Sequence, residues 1–288
     1  MNRASINANN FIRWYQNTAT TLANSTYSNG IHNGYLLRWR EKSDYLPVLV
    51  GDTLTFYTNF NSDTFLSGNS IKIVTEDSCG SYMVVNDITR YDISSTSWGT
   101  NNAKITLTIP VTNTDNDRRV RLAIVDGTDT VLYISNYLLI RQATEKNINN
   151  THLFTFYHDS DIYDYNWSNY VVATDTPYTI RLASSKIGIS YPQEKEIYQE
   201  ATTGRPRVTR AINNKQVNLE IYYNIEELHD AIATFSSFKN IKINGDPYIV
   251  EEIEPEYQRN LNIFKTTLTL KDVNFSRRVN VCNVTIPS

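Results

Sequence analysis

The residues best able to do chemistry in this chain are four histidines and a few clusters of carboxylates. His32, His152, His158 and His229 are scattered along it. None has the spacing, such as i and i+4 with a further ligand, that gathers a zinc site. His229 follows Leu228 in a stretch of helical periodicity, so its expected place is a solvated helix surface. His152 and His158 flank a short apolar stretch. Asp159, Asp161 and Asp164 are spaced like half of a calcium loop, whose alternate positions supply oxygen ligands. Asp164 stands where that loop needs glycine, and the distal glutamate is missing, so the segment reads as an acidic surface loop. Asp115 and Asp117 beside Arg118 and Arg119 read as an ordinary turn. Glu251, Glu252, Glu254 and Glu256 read as a solvated face or the wall of an interface. Glycoside hydrolysis needs two carboxylates at a set separation, and no pair stands out.

The chain has no glycine-rich phosphate loop and no Gly-x-Ser-x-Gly elbow. Cys79 and Cys282 are isolated and read as small apolar side chains. These features point away from catalysis, and the expectation is a protein with no catalytic residue, no cofactor and no metal. Recognition by surface is better represented. Tyr157, Tyr163, Tyr165, Trp167 and Tyr170 crowd one loop, and Tyr and Trp give large contact area at low entropic cost. Rings at Tyr163, Tyr165, Trp167 and Tyr170 could also stack on sugars, which makes a carbohydrate-binding or adhesin module the alternative expectation.

Composition narrows the classes further. The 288 residues carry a formal net charge of −3, with a pI near 5.8. There is no basic excess to drive general binding to a phosphate backbone. The N-terminus is polar and no apolar run is long enough to cross a bilayer, so the expectation is a chain folded in a cytosol and away from membranes. With 20 Tyr and many Asn and Thr, the chain leans towards strands and turns.

The elements that would position these residues divide at a polar stretch, 142–152. Residues 1–34 read as an N-terminal arm, with Phe11, Trp14 and Tyr15 able to dock on its own domain or on a neighbouring subunit. Residues 35–141 carry short alternating strands at 35–40, 54–60, 70–74, 82–85, 104–110, 120–125 and 131–135. Such a series is expected of a two-sheet, immunoglobulin-like β-sandwich. Residues 153–288 read as an α+β sandwich with one helix. Its parts are strands at 153–157 and 178–182, a hairpin of 208–212 with 216–223 turning at Asn213-Asn214, and a helix capped by Asn224. A hairpin at Asn244-Gly245, a strand at 263–270 and a last strand at 279–286 complete it. The fold class is therefore mainly β with a minor α part.

The stretch from Ile187 to Leu270 resembles the ring-forming domain of tailed-bacteriophage virion proteins of the tail-tube and distal-tail type. The resemblance rests on Asn218-Leu219-Glu220-Ile221-Tyr222-Tyr223, the helix after Asn224, and Ile241-Lys242-Ile243-Asn244-Gly245-Asp246-Pro247-Tyr248. With its upstream sandwich and its Asn- and Tyr-rich composition, the chain is also similar to neck and tail ring proteins of crAss-like phages. The resemblance implies a structural component of the virion: a cyclic homo-oligomer around a DNA-conducting channel. Other neck or tail proteins would be its partners, including portal-proximal ones, and genomic DNA would meet it only in transit. The residues expected at subunit contacts are Arg205, Arg207 and Arg210 near the base of the 205–223 hairpin, Asn213 and Asn214 at its turn, Tyr222 and Tyr223, and Phe11, Trp14 and Tyr15 of the arm.

Overall fold

Strand dominates the chain, and helix is a minor part. The computed structural model describes residues 11–12, 14–16, 45–59, 68–76, 81–85, 87–98, 102–157, 177–223, 226–236, 240–258 and 263–280. In chain order the first strands are β1 (Trp14–Gln16), β2 (Leu46–Leu49), β3 (Thr53–Asn59), β4 (Ser70–Glu76), β5 (Tyr82–Val85) and β6 (Asp92–Trp98). They are followed by β7 (Asn102–Thr108), β8 (Arg118–Val125) and β9 (Val131–Arg141). A one-turn helix, α1 (Glu145–Asn149), is capped by the Thr144 hydroxyl, which accepts from the Asn147 N–H at 3.3 Å. Then come β10 (Thr151–Tyr157), β11 (Tyr178–Ser190), β12 (Gln193–Gln199), β13 (Pro206–Tyr223), helix α2 (Glu226–Ser236), β14 (Asn240–Ile243), β15 (Asp246–Gln258) and β16 (Ile263–Asn280).

The first nine strands form two layers. One runs β9-β8-β4-β5, with β1 antiparallel and β2 parallel on the open side of β9. The other runs β3-β7-β6. Alternation explains the packing: Leu54 and Phe56 on β3, and Ile105 and Leu107 on β7, are buried with Ile71, Ile73, Val120 and Leu122 of the opposite layer in one cluster. On β8, Arg121 is also buried. Its guanidinium lies 3.6 Å from the Tyr137 ring centroid and donates to the Ser135 carbonyl at 2.7 Å.

β10, β11, β13, β16, β15 and β14 close on one another as an antiparallel barrel. The closing strand is β11. Tyr178–Ala183 pair with β10, while Ser184–Ser190 pair with β13. The expected open α+β sandwich is thus corrected to a closed barrel, in which these strands have no bare edge along the closed part. Apolar alternation marks only 178–182. The rest of β11 turns increasingly exposed, so its pattern stops before its ladder does. Inside the barrel lie Leu182, Val217, Leu219, Ile221, Leu268 and Leu270. Leu228, Ala231, Ile232 and Phe235 of α2 are buried at helical spacing.

The two layers and the barrel are continuous. β11 also pairs with β3 at Thr179↔Thr55, so one ten-stranded sheet runs from β6 to β12, and the buried cluster spans both halves. The stretch 142–152, expected as a linker between domains, holds α1 and the start of β10 and breaks neither sheet nor core. The N-terminal segment joins the same core. Phe11 and Ile12 are fully buried and Trp14 nearly so. The Phe11 ring lies 5.0 Å from Phe235, 5.9 Å from Tyr178 and 6.1 Å from Phe156, and the Phe11 carbonyl accepts from the Asn136 amide at 3.1 Å.

Two further points differ from expectation. β2, β6 and β12 carry little apolar alternation, since β2 is buried throughout and β12 exposed throughout, and none was expected. The hairpin turning at Asn213-Asn214 does not form. β13 runs unbroken through both residues, and β12 pairs along its first half. The turn lies instead at 200–205, where Gly204 adopts a φ of +66° and its N–H donates to the Glu200 carbonyl at 2.7 Å. The hairpin at Asn244-Gly245 is present, with φ of +51° and +90°. The expected strand at 35–40, the Asn224 cap and residues 281–286 of the last strand lie outside the described residues.

Candidate assembly surface

The titratable groups placed in the interior are tied into the fold. His229 is buried, in contrast to the solvated position expected for it. The helix packs this face against the barrel, where Nε2 lies 2.9 Å from the Tyr223 carbonyl oxygen and Nδ1 lies 2.6 Å from the Thr266 hydroxyl. His152 Nδ1 lies 2.8 Å from the Ser184 hydroxyl, and burial first of all holds its pKa below the usual value. Asp115 is likewise no ordinary turn residue. It is buried and accepts from the Arg90 guanidinium and the Tyr91 hydroxyl, with Arg118 at 3.5 Å. Burial pushes its carboxyl up, but the Tyr91 and Arg90 hydrogen bonds and the charges of Arg118 and Arg90 outweigh this and hold its pKa below the usual aspartate value. Among the described residues no three His, Cys, Asp or Glu side chains gather as a metal site would require. His32, His158, Asp159, Asp161, Asp164, Cys79 and Cys282 lie outside the described residues, as do Tyr163, Tyr165, Trp167 and Tyr170 of the aromatic loop.

A different kind of site emerges where β13 outruns the barrel. Its residues 216–223 belong to the barrel wall. Residues 206–213 pair with β12, and 210–214 pair with 276–280 of β16. The result is a three-stranded ribbon whose β13 part extends about 30 Å at the usual rise per residue. β12 is its outermost strand, and all seven residues of β12 are exposed. Ile197 stands opposite Val208, and both are exposed, Ile197 at 61%. Tyr198 is exposed as well, as are Ile187 and Ile189 at the end of β11 and Tyr191 just after it. Tyr191 rests 5.6 Å from the Phe275 ring, where Lys215 bridges to Asp272 at 2.9 Å. Large apolar side chains on a projecting ribbon, rimmed by polar groups, are the usual mark of an interaction surface.

This surface carries both signs of charge. On the ribbon, the described side chains include Lys195 and Arg205 with Glu194, Glu196 and Glu200. The barrel wall beside it carries Glu251, Glu252, Glu254 and Glu256 on β15 and Glu220 on β13, against Lys265 and Lys271 on β16. Lys265 lies 3.0 Å from both Glu220 and Glu256, and Lys271 lies 3.8 Å from Glu251. The hydrogen bonds to Glu220 and then Glu256 push the Lys265 pKa above its usual value, so this lysine stays charged. Glu252 and Glu254 are exposed, in register with Thr269 and Thr267.

The residues expected at contacts are sorted by this arrangement. Arg205 is exposed but sits at the tip of the ribbon, because the turn is at 200–205. Arg207 and Arg210 lie along its length, in register with Tyr198 and Glu196; their side chains, like that of Tyr15, are outside the described set. Asn213 is half-buried. Asn214 is buried and donates to Glu194 at 3.3 Å, which joins β13 to the edge strand instead of forming a turn. Tyr222 is exposed, with its hydroxyl on Glu220. Tyr223 is corrected: it is buried, and its hydroxyl accepts from the Ala183 N–H at 2.9 Å across the barrel seam. Phe11 and Trp14 are spent inside their own chain and leave no side chain for a neighbour. Sequence reasoning missed β12 and the exposed Ile187, Ile189, Ile197 and Val208. The available signal was a strand-length polar run, Gln193–Gln199, with one β-branched residue, Ile197.

No protein-family model matches the chain, and no curated protein matches it in sequence.

Proposed function

We propose that this protein is a structural subunit of a bacteriophage virion, forming a homo-oligomeric ring in the neck or tail around the path of the DNA. The observation that carries the reading is the ribbon: a three-stranded extension beyond the barrel, with an outermost strand exposed throughout and isoleucines and tyrosines facing solvent. A ring subunit buries it against the next copy through a heterologous contact. The packed helix and the long ribbon support the likeness to the ring-forming domain that residues 187–270 resemble, while the strands close as a barrel where a sandwich was expected.

The first half fits the same reading as an immunoglobulin-like module. The order β2-β9-β8-β4-β5 against β3-β7-β6, with β2 parallel to β9, supports that assignment. In the proposed particle this module faces adjacent neck or tail proteins, and DNA passes the barrel ring in transit. The reading assigns no catalytic residue. Light scattering and negative-stain imaging of the purified full chain test it. A closed particle of several 33.1 kDa copies, alone or with other virion proteins of the same phage, is expected. A monodisperse monomer at high concentration that also fails to join those proteins overturns it.

A further inference from the structure

We infer that the free edge of β6 takes an added strand from another copy of this chain, residues 281–286, which follow Asn280 at the end of β16. This rests on the ring reading and adds to it a strand exchanged between subunits.

The edges of the sheets are unequally protected. β12, at one end of the ten-stranded sheet, carries Glu194, Lys195 and Glu196 and a bulge between Glu196 and Ile197. β15 runs on past its pairing with β14 carrying Pro255 and Glu251, Glu252, Glu254 and Glu256. β5 is only four residues long. Charge, proline, bulges and shortness keep edge strands from pairing with other chains. β6, at the other end of the ten-stranded sheet, lacks them all from Ile93 to Trp98. It is seven residues long, its ladder with β7 has no bulge, and among the described residues it pairs with β7 alone. Ser94 and Ser95 are exposed.

The opposite layer leaves a place for one more strand. β6 lies against β4, so β5 extends beyond it with no described strand over it. Val85 and Met83 of β5 share the face of Ile73 that is turned to this layer. Val85 packs on the core, but Met83 is 55% exposed. A strand added to β6 covers Met83 and completes the shorter layer.

Residues 281–286 suit that place. They are uncharged and mostly β-branched, and alternation sets Cys282, Val284 and Ile286 on one face. Their point of departure decides whose β6 they meet. Asn280 is in register with Arg210. Ser94 stands level with Thr106, Thr55 and Thr179 on successive strands. From Thr179 the path follows β11 to Ser190, then β13 from Gln216 to Arg210, about 55 Å at the usual rise per residue. Residues 281–286 span at most about 20 Å when extended. They fall short of the β6 of their own chain and reach that of another. Strand and edge are different patches, so the contact is heterologous and with the right rotation closes a ring.

The experiment compares the wild type with a chain ending at Asn280 and with a full-length double variant, Val284→Asp with Ile286→Asp. Thermal unfolding followed by circular dichroism verifies folding, and the full-length variant carries the test if the shortened chain does not fold. Light scattering gives the masses, and amide hydrogen exchange read by mass spectrometry reports on β6. Both variants are expected at the single-chain mass. Amides of residues 92–98 are expected to exchange about tenfold more slowly in the wild-type assembly than in either variant. A peptide of residues 281–288 added to the shortened chain should restore that protection. Exchange at 92–98 that is alike in all three overturns the inference and leaves the ring reading standing. So does a variant that keeps the wild-type mass, or protection by these residues that falls on 206–209 of β13, where they would prolong the ladder of their own chain. A wild-type chain that never assembles, alone or with its virion proteins, overturns both.

Discussion

Arg181 on β11 grips Asp52 at the entrance to β3 with two parallel bonds, Nε to Oδ2 at 2.6 Å and Nη2 to Oδ1 at 2.7 Å, and both side chains are buried. The same carboxylate accepts from the Leu49 N–H at 2.8 Å, and the guanidinium also reaches the Thr151 hydroxyl and carbonyl. Planar guanidinium suits this geometry and ammonium does not. The pair fastens the layer of β3 to the barrel where the sheet passes between them. Removing one partner strands a buried charge, so Asp52→Ala is expected to cost about 3–5 kcal/mol. Urea unfolding measures it, and an apolar replacement of both residues should cost less than the single change.

Asp115 sets an acid limit. Its carboxyl is held below the usual value in the folded chain, so its contribution is fully present above the unfolded value of about 3.9 and is lost as pH falls through the lower folded value. The wild type should therefore lose stability steeply below about pH 4. Asp115→Asn should be weaker at neutral pH and show a flatter decline in that window, as measured by melting temperature against pH.

Tyr137 should ionise late. Burial comes first among the causes that push its pKa up to about 12, with Glu76 adding to it and Arg121 opposing. Absorbance titration of the folded protein should show one fewer tyrosine titrating at high pH in Tyr137→Phe than in wild type.

Phe11→Ala tests the burial of the N-terminal segment. The ring meets Phe156, Tyr178 and Phe235, and its loss is expected to cost about 3–5 kcal/mol, with a lower melting temperature and increased binding of a hydrophobic dye.

The turn between β14 and β15 depends on backbone conformation alone at Gly245, where an added Cβ would meet nothing but φ is +90°. Gly245→Ala should cost about 1–2 kcal/mol from strain. Asn244→Ala should also lose the bond that its side-chain oxygen accepts from the Leu153 N–H at 2.8 Å. Unfolding free energies of the two variants separate these effects.

Apolar alternation in the sequence made β3, β4, β7 and β8 legible, although only β4 and β7 keep a wetter side and 54–57 of β3 and 120–125 of β8 are buried on both, and helical spacing marked α2 through Leu228, Ala231, Ile232 and Phe235. Barrel closure was not legible. It depends on Ser184–Ser190 choosing β13 as partner, a long-range pairing that leaves no local pattern. The two asparagines at 213–214 looked like a turn because their side chains tolerate positive φ. Pairing with β12 on one side and β16 on the other holds them extended instead. The arm's aromatics were recognisable as buried somewhere, but which surface takes them is a tertiary fact. The ribbon's apolar residues went unnoticed because they are few and stand among charges.

Closure through β16 also sets an order of events during synthesis. This strand lies between β13 and β15, so the barrel stays open on the ribosome until residues 264–271, which pair with both, have been made. Phe11 is made before Phe235 and has no such partner until α2 has been synthesised. The nascent protein therefore carries Phe11 without its final shelter until the helix that holds Phe235 has been made.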